Sequence, residues 1–189
     1  STLQGGGEMA IIEELVVVGG QAGNPLNPLT YQAVNRGQVR LSGFEFKGKF
    51  ALGPATDLRL AYGQTQGKDT RLGVPLNTVN PARLLLGVDQ RVGGWKLGAV
   101  IAHTMKKSAS DINDANLANQ FAPPSYTTLD LRASWQVSKA TRLSAAIHNV
   151  TDRKYWEWTN VIGVAANSPV LDAYTAPGRS FSVALVTDF

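Results

Sequence analysis

The side chains able to do chemistry are few and scattered. The chain has 2 histidines, His103 and His148, and no cysteine. An imidazole can ligate a transition metal, yet neither histidine has a second His or a Tyr at a recognisable spacing. Without thiolates, Cys-based metal sites and disulfide frameworks are both excluded. Asp111, Asn113 and Asp114 suggest cation binding, but a calcium loop would next need an oxygen ligand and then Gly, where the chain has Ala115 and Asn116. No nucleophile elbow, zinc-protease helix, phosphate-binding loop or dinucleotide glycine pattern occurs. We therefore assign no catalytic and no metal-binding residue, and expect no enzyme. What stands out is an aromatic pair, Trp156 and Trp158. Rings of this kind anchor binding interfaces, so these two are the expected ligand contacts.

The elements that position them read as strands. Apolar residues recur at spacing two in windows of about ten residues, separated by Gly, Pro, Asn and Asp. The pattern predicts strands at 9–18, 37–51, 57–66, 82–92, 95–104, 126–137, 141–150 and 179–189. The clearest has Leu129, Leu131, Ala133, Trp135 and Val137 on one face and Thr128, Asp130, Arg132, Ser134 and Gln136 on the other. The first window, from Met9, alternates poorly. No run approaches the roughly 18–20 apolar residues of a membrane helix, which leaves β-strand spanning open because alternating strands keep mean hydropathy near neutral. Here it is −0.09.

The connections separate a barrel from a soluble sheet. Turns at 53–56, 93–94 and 138–140 are short, whereas 19–36, 67–81, 105–125 and 151–178 are long. Outer-membrane barrels alternate in this way, and a compact soluble domain seldom carries even one such loop. With the short turns taken as periplasmic, Phe50, Trp95, Trp135 and Phe189 end outward rows at that interface, and Tyr62 sits near the opposite one. The net charge of +4 is spread along the chain, unlike a nucleic-acid footprint.

Four blocks carry a family resemblance. Asn149-Val150-Thr151-Asp152-Arg153-Lys154-Tyr155 resembles the block that ends the penultimate strand of TonB-dependent receptors, and Tyr174 to Phe181, with Pro177-Gly178-Arg179, resembles their entry into the last strand. Arg40 to Glu45 and Gly73 to Pro81 are similar to two upstream blocks, in family order. The closing alternation Phe181, Val183, Leu185, Thr187 and terminal Phe189 is similar to the assembly signal of outer-membrane proteins. Local chemistry gives these residues structural tasks at strand ends. Pro177-Gly178 makes a rigid turn in which Gly can take positive φ, and Asn149 and Asp152 satisfy backbone groups.

The resemblance implies an all-β fold: antiparallel transmembrane strands, with 1–189 forming the C-terminal, roughly eight-strand portion of a larger barrel whose plug lies upstream. The poor first strand and the lack of an export signal before it fit such a piece. The Tyr155-Trp156-Glu157-Trp158 run, followed by Ser168 to Tyr174, is similar to the haem and haemoglobin branch. The implied function is TonB-energised uptake of haem or haem-protein iron across the bacterial outer membrane. Implied partners are outer-membrane lipid, the TonB complex through the plug, and haem or a haem-carrying protein; haem would be cargo and no cofactor is intrinsic. Trp156, Trp158 and the loop 105–125 would make extracellular ligand contacts. His103 should face lipid at the external rim and His148 the lumen, and neither is entered as a haem ligand. Arg83, Asp89, Asp130 and Arg132 should line a polar lumen wall. The rivals are a siderophore receptor, an autonomous eight-stranded barrel with a structural or adhesive role, and a soluble β-sandwich binding module.

Overall fold

The computed structural model describes residues 2–19, 30–115 and 119–188, with the side chains of 2–19 and 31–37 excepted. Alternation over long windows produces strands and almost nothing else. In chain order these are β1 (Thr2–Gly19), β2 (Thr30–Ala51), β3 (Thr56–Asp69), β4 (Arg83–Val92), β5 (Trp95–Thr104), β6 (Tyr126–Gln136), β7 (Thr141–His148) and β8 (Ser180–Thr187). They form one antiparallel sheet in sequence order, each strand paired with its chain neighbours. β1 and β8 are its two edges, so the described residues form an open wall, not the closed eight-stranded barrel among the rival expectations.

Six of the expected strands, from the third to the last, fall within three residues of their places. The first hairpin differs: β1 begins at Thr2 and β2 at Thr30, so much of the expected loop 19–36 is sheet. Its register shifts between Ala10 and Ile12 and again between Val17 and Gly19. Each shift breaks the period-two pattern, which hides the strand from a reading based on alternation.

Register confirms which residues share a face. Trp95 pairs with Trp135, Leu97 with Ala133, Ala99 with Leu131 and Ile101 with Leu129, and the same outward row continues through Leu143, Ala145 and Ile147 to Phe181, Val183 and Leu185. These side chains are exposed to an unusual degree; Phe181, Val183 and Leu185 are 72%, 75% and 67% accessible. No described element packs over them, since strand contacts run only between sheet neighbours. A sandwich would bury this face against a second layer. The soluble module is thereby excluded.

Trp95 and Trp135 stack at the short-turn end, with centroids 5.4 Å apart and planes 7° from parallel. Tyr62 lies against Phe44, 6.3 Å away and nearer the other end. Phe189 lies outside the described residues. The tight turns use local chemistry: Gly93 has φ +56, and Ser138 Oγ accepts from the Ala140 and Thr141 amides.

Candidate functional site

Among the described residues, the non-sheet packing sits at the long-loop end. Here residues of 105–115, 119–125 and 149–179 make the hydrophobic cluster of Ile112, Trp158, Val161 and Val164, and the segment 70–82 is tied to it by hydrogen bonds through Asn77. Phe121, Trp156, Leu171 and Tyr174 pack around it. A short helix, α1 (Trp158–Val161), supplies two of the four central residues, and a 3-10 turn at Leu171–Tyr174 brings in two of the surrounding ones. Burying these rings offsets the entropy of ordering three long connections.

Polar contacts lock the segments together. Trp158 Nε1 donates to the Asn77 carbonyl at 2.6 Å, joining positions 81 residues apart. The Asn77 side chain makes two bonds to Asn113, Nδ2 to its carbonyl at 2.9 Å and Oδ1 from its amide at 2.8 Å. Lys107 donates from Nζ to the Val79 carbonyl at 2.7 Å and lies 4.8 Å from the Trp158 ring centroid. Burial holds the Lys107 ammonium below the usual lysine range, against the opposite pull of the Asp111 carboxylate. Phe121 and Ala166 complete a backbone link between the second and third segments, bonding to Val164 and Asn119.

The two expected contact residues therefore differ. Trp158 is 3% exposed and serves as the keystone of the loop cluster. Its burial leaves almost no surface for a ligand in this arrangement. Trp156 is half-buried: its Nε1 bonds the Leu171 carbonyl at 3.0 Å, its face meets Phe121 edge-on, and Lys154 Nζ stands 5.5 Å from its centroid. Lys154 also pairs with Asp172 at 2.7 Å. The loop 105–125 contributes Ile112 and Phe121 to the cluster and leaves Lys106, Ala109, Ser110 and Asp111 on the surface.

Below the loops, the strand ends are clasped. Asn149 and Asp152 both take positive φ, +48 and +51. Asn149 bonds Arg153 through both ends of its amide at 2.9 Å, and its own amide donates to Asp130 Oδ1 at 2.8 Å. Asp152 Oδ1 accepts from the Arg179 amide at 2.8 Å. Gly178 is not in the positive-φ region; what its missing Cβ provides is room, since a Cβ there would stand 2.8 Å from Asp152 Oδ1. The two blocks read as strand-end fixtures are two halves of one clasp. Tyr155 stacks on Tyr126 beside it, and burial raises its phenol above the usual range.

The inward face carries a charged ladder. Asp89 Oδ1 meets Arg132 Nη2 at 2.5 Å, and Oδ2 lies 3.1 Å from Arg59 Nε. Asp57 lies 3.2 Å from Arg91 and 3.5 Å from Lys49. Asp130, which bonds the Asn149 amide, stands 3.5 Å from His148. Three of the four expected wall residues are thus brought into polar contacts, although Asp130 and Arg132 join different partners. Register explains how Arg132 reaches Asp89 across β5: Gly98 lies between them, and a Cβ there would come within 2.5 Å of Arg132 Nε. The sequence pattern of β5 places Gly98 on the row opposite Trp95, Leu97, Ala99 and Ile101 but does not show that role. A glycine between two oppositely charged residues on flanking strands is the signal that could have found it. His103 lies on the outward row, its Nδ1 2.8 Å from Thr127 Oγ1. Among the described residues, no His, Asp and Glu cluster of three or more could hold a metal.

An open wall with apolar side chains outward, ion pairs inward and knitted loops at one end is the architecture of a large outer-membrane barrel. The chain belongs to the TonB dependent receptor-like β-barrel family, whose model matches residues 12–150. Such receptors reside in the bacterial outer membrane and are transport proteins, not enzymes. The chain is 28% identical to the hemoglobin-haptoglobin utilization protein B of Neisseria meningitidis serogroup A, over 84% of this chain and 23% of that protein. It is 27% identical to the hemoglobin-binding protein A of Haemophilus influenzae, over 89% of this chain and 20% of that protein. It thus spans about a fifth of the length of these curated relatives. Among solved structures, the copper transporter OprC superposes with a TM-score of 0.73 at 18% identity, covering 97% of this chain and 28% of that one. That likeness speaks for the fold alone.

Proposed function

We propose that this wall forms part of a receptor that takes iron as haem from haemoglobin or a haemoglobin complex, with import energised through the TonB complex and an upstream plug. The observation that carries the reading is the naming of the two curated relatives for haemoglobin, over more than four-fifths of this chain. The loop platform is compatible with a protein ligand. It is broad, made from three segments, and held rigid by a buried Trp, so binding would not have to order it first. Trp158 then acts from beneath, and the half-exposed Trp156 face, with Lys154 and the surface of 105–111, meets the ligand. His103 and His148 each have a polar partner at the wall, and neither is assigned to haem iron.

The test is growth of a haem-uptake-deficient strain carrying the complete receptor, with haemoglobin as sole iron source, beside haemin titration of the purified receptor followed in the Soret band. The expected result is growth and a shifted Soret maximum. Growth on ferric siderophores alone, with an unshifted band, would instead assign the receptor to chelate import.

A further inference from the structure

We propose that a basic cleft on the outward side of the external rim binds the phosphorylated headgroup of an outer-leaflet glycolipid. This inference rests on the outer-membrane barrel assignment and is independent of the cargo.

The cleft arises from unequal strand lengths. β3 pairs with β4 only as far as Gly63, while its pairing with β2 continues to Asp69. The β2–β3 hairpin therefore rises above β4, and residues 74–76 hydrogen-bond only to the uppermost part of its free edge. Between that edge and the segment after β5 lies a side opening of about 1010 Å³. Arg40, Tyr62, Gln64, Lys68, His103 and Lys106 line it. Arg40, Tyr62, Gln64, Lys68 and His103 share the phase of the outward apolar rows, whereas Thr65 and Gly67 of the same lining have the opposite phase, so the opening lies in the wall itself with its strand-borne cations on the outward side.

Its charge is unbalanced. Four cationic side chains, the three above plus Lys107, line it against one carboxylate, Asp111. Lys107 is engaged with the Val79 carbonyl, but among the described residues Arg40, Lys68 and Lys106 have no ion pair. All three are exposed. Tyr62 and Gln64, bonded to each other at 2.9 Å, add hydroxyl and amide groups on the same wall. Guanidinium and ammonium groups gathered at a membrane boundary match phosphate oxygens.

Location selects the source of that phosphate. Directly below in the same outward rows stand Phe44, Leu60, Leu86 and Ile101, the hydrocarbon-facing surface. An amphiphile can place its phosphates in the cleft while its acyl chains follow those rows. A free anion would gain nothing from them. A zwitterionic phospholipid would bring its own cation to an already cationic cleft, whereas a phosphorylated sugar headgroup brings negative charge and hydroxyls.

Native mass spectrometry of the complete receptor in detergent, titrated with diphosphoryl lipid A, tests this. Lys68→Ala combined with Lys106→Ala should lower lipid occupancy roughly tenfold or more, because each basic residue near the surface contributes on the order of 1 kcal/mol. Arg40→Ala should give a smaller loss, and dephosphorylated lipid A should bind the wild type as weakly as the double variant binds the phosphorylated form. Heat-modifiable gel migration verifies that each variant retains its barrel, and Arg40→Ala alone decides the matter if the double variant does not fold. Unchanged occupancy in a folded variant overturns the proposal. So does equal binding of dephosphorylated lipid, or displacement of lipid A by inorganic phosphate, which would mark a plain anion site.

Discussion

The strand wall and the loop cluster solve opposite problems. In the wall, backbone groups pair with those of adjacent strands, and side chains need only alternate: apolar outward, charged or small inward. Few side chains there are buried. In the loops, irregular backbone has no ladder to join, so a compact core and specific side-chain hydrogen bonds do the work instead. Trp158, Asn77 and Lys107 each tie two segments far apart in sequence. A wall position depends on the polarity of its residue, whereas a loop position depends on shape and on one particular partner.

Three substitutions probe that contrast. Trp158→Ala empties the centre of the loop cluster and removes the bond to Asn77. It should cost about 3–5 kcal/mol locally. Limited proteolysis should then cut 105–125 and 149–179 while heat-modifiable migration of the barrel is unchanged; coupled loss of both would show that wall and loops form a single cooperative unit. Leu131→Arg places a charge mid-row on the outward face and should cost roughly 2–4 kcal/mol in denaturant-dependent refolding into lipid. The loops should stay resistant to protease. An unaffected midpoint would mean that this face does not meet hydrocarbon. Lys47→Ala removes the exposed pair with Glu45, 2.5 Å apart on the inward row, and should change the same midpoint by less than about 0.5 kcal/mol.

The legible parts follow this division. β4 through β8 could be read nearly to the residue because their alternation is unbroken, and the outward rows of Trp95, Trp135 and Phe181 followed from it. The extension of β2 back to Thr30 was not legible, since two register shifts erase the period there. The Asn149–Asp152 and Pro177–Arg179 blocks were recognisable as strand-end devices. That they hold each other required knowing that β7 and β8 are neighbours. Trp156 and Trp158 looked equivalent in sequence. A two-residue step fixes neither burial nor exposure outside a strand, and a short helix beginning at Trp158 turned it inward.

The chain's amino-acid order by itself determined the strand count, the polarity of each face and the family, because period-two patterning and turn residues act over short range. Tertiary structure alone decided which loops touch, that Arg132 reaches Asp89 over Gly98, and that a cationic cleft opens where β3 outgrows β4. Each depends on strand register and unequal strand length, which bring together residues tens of positions apart and leave no local trace.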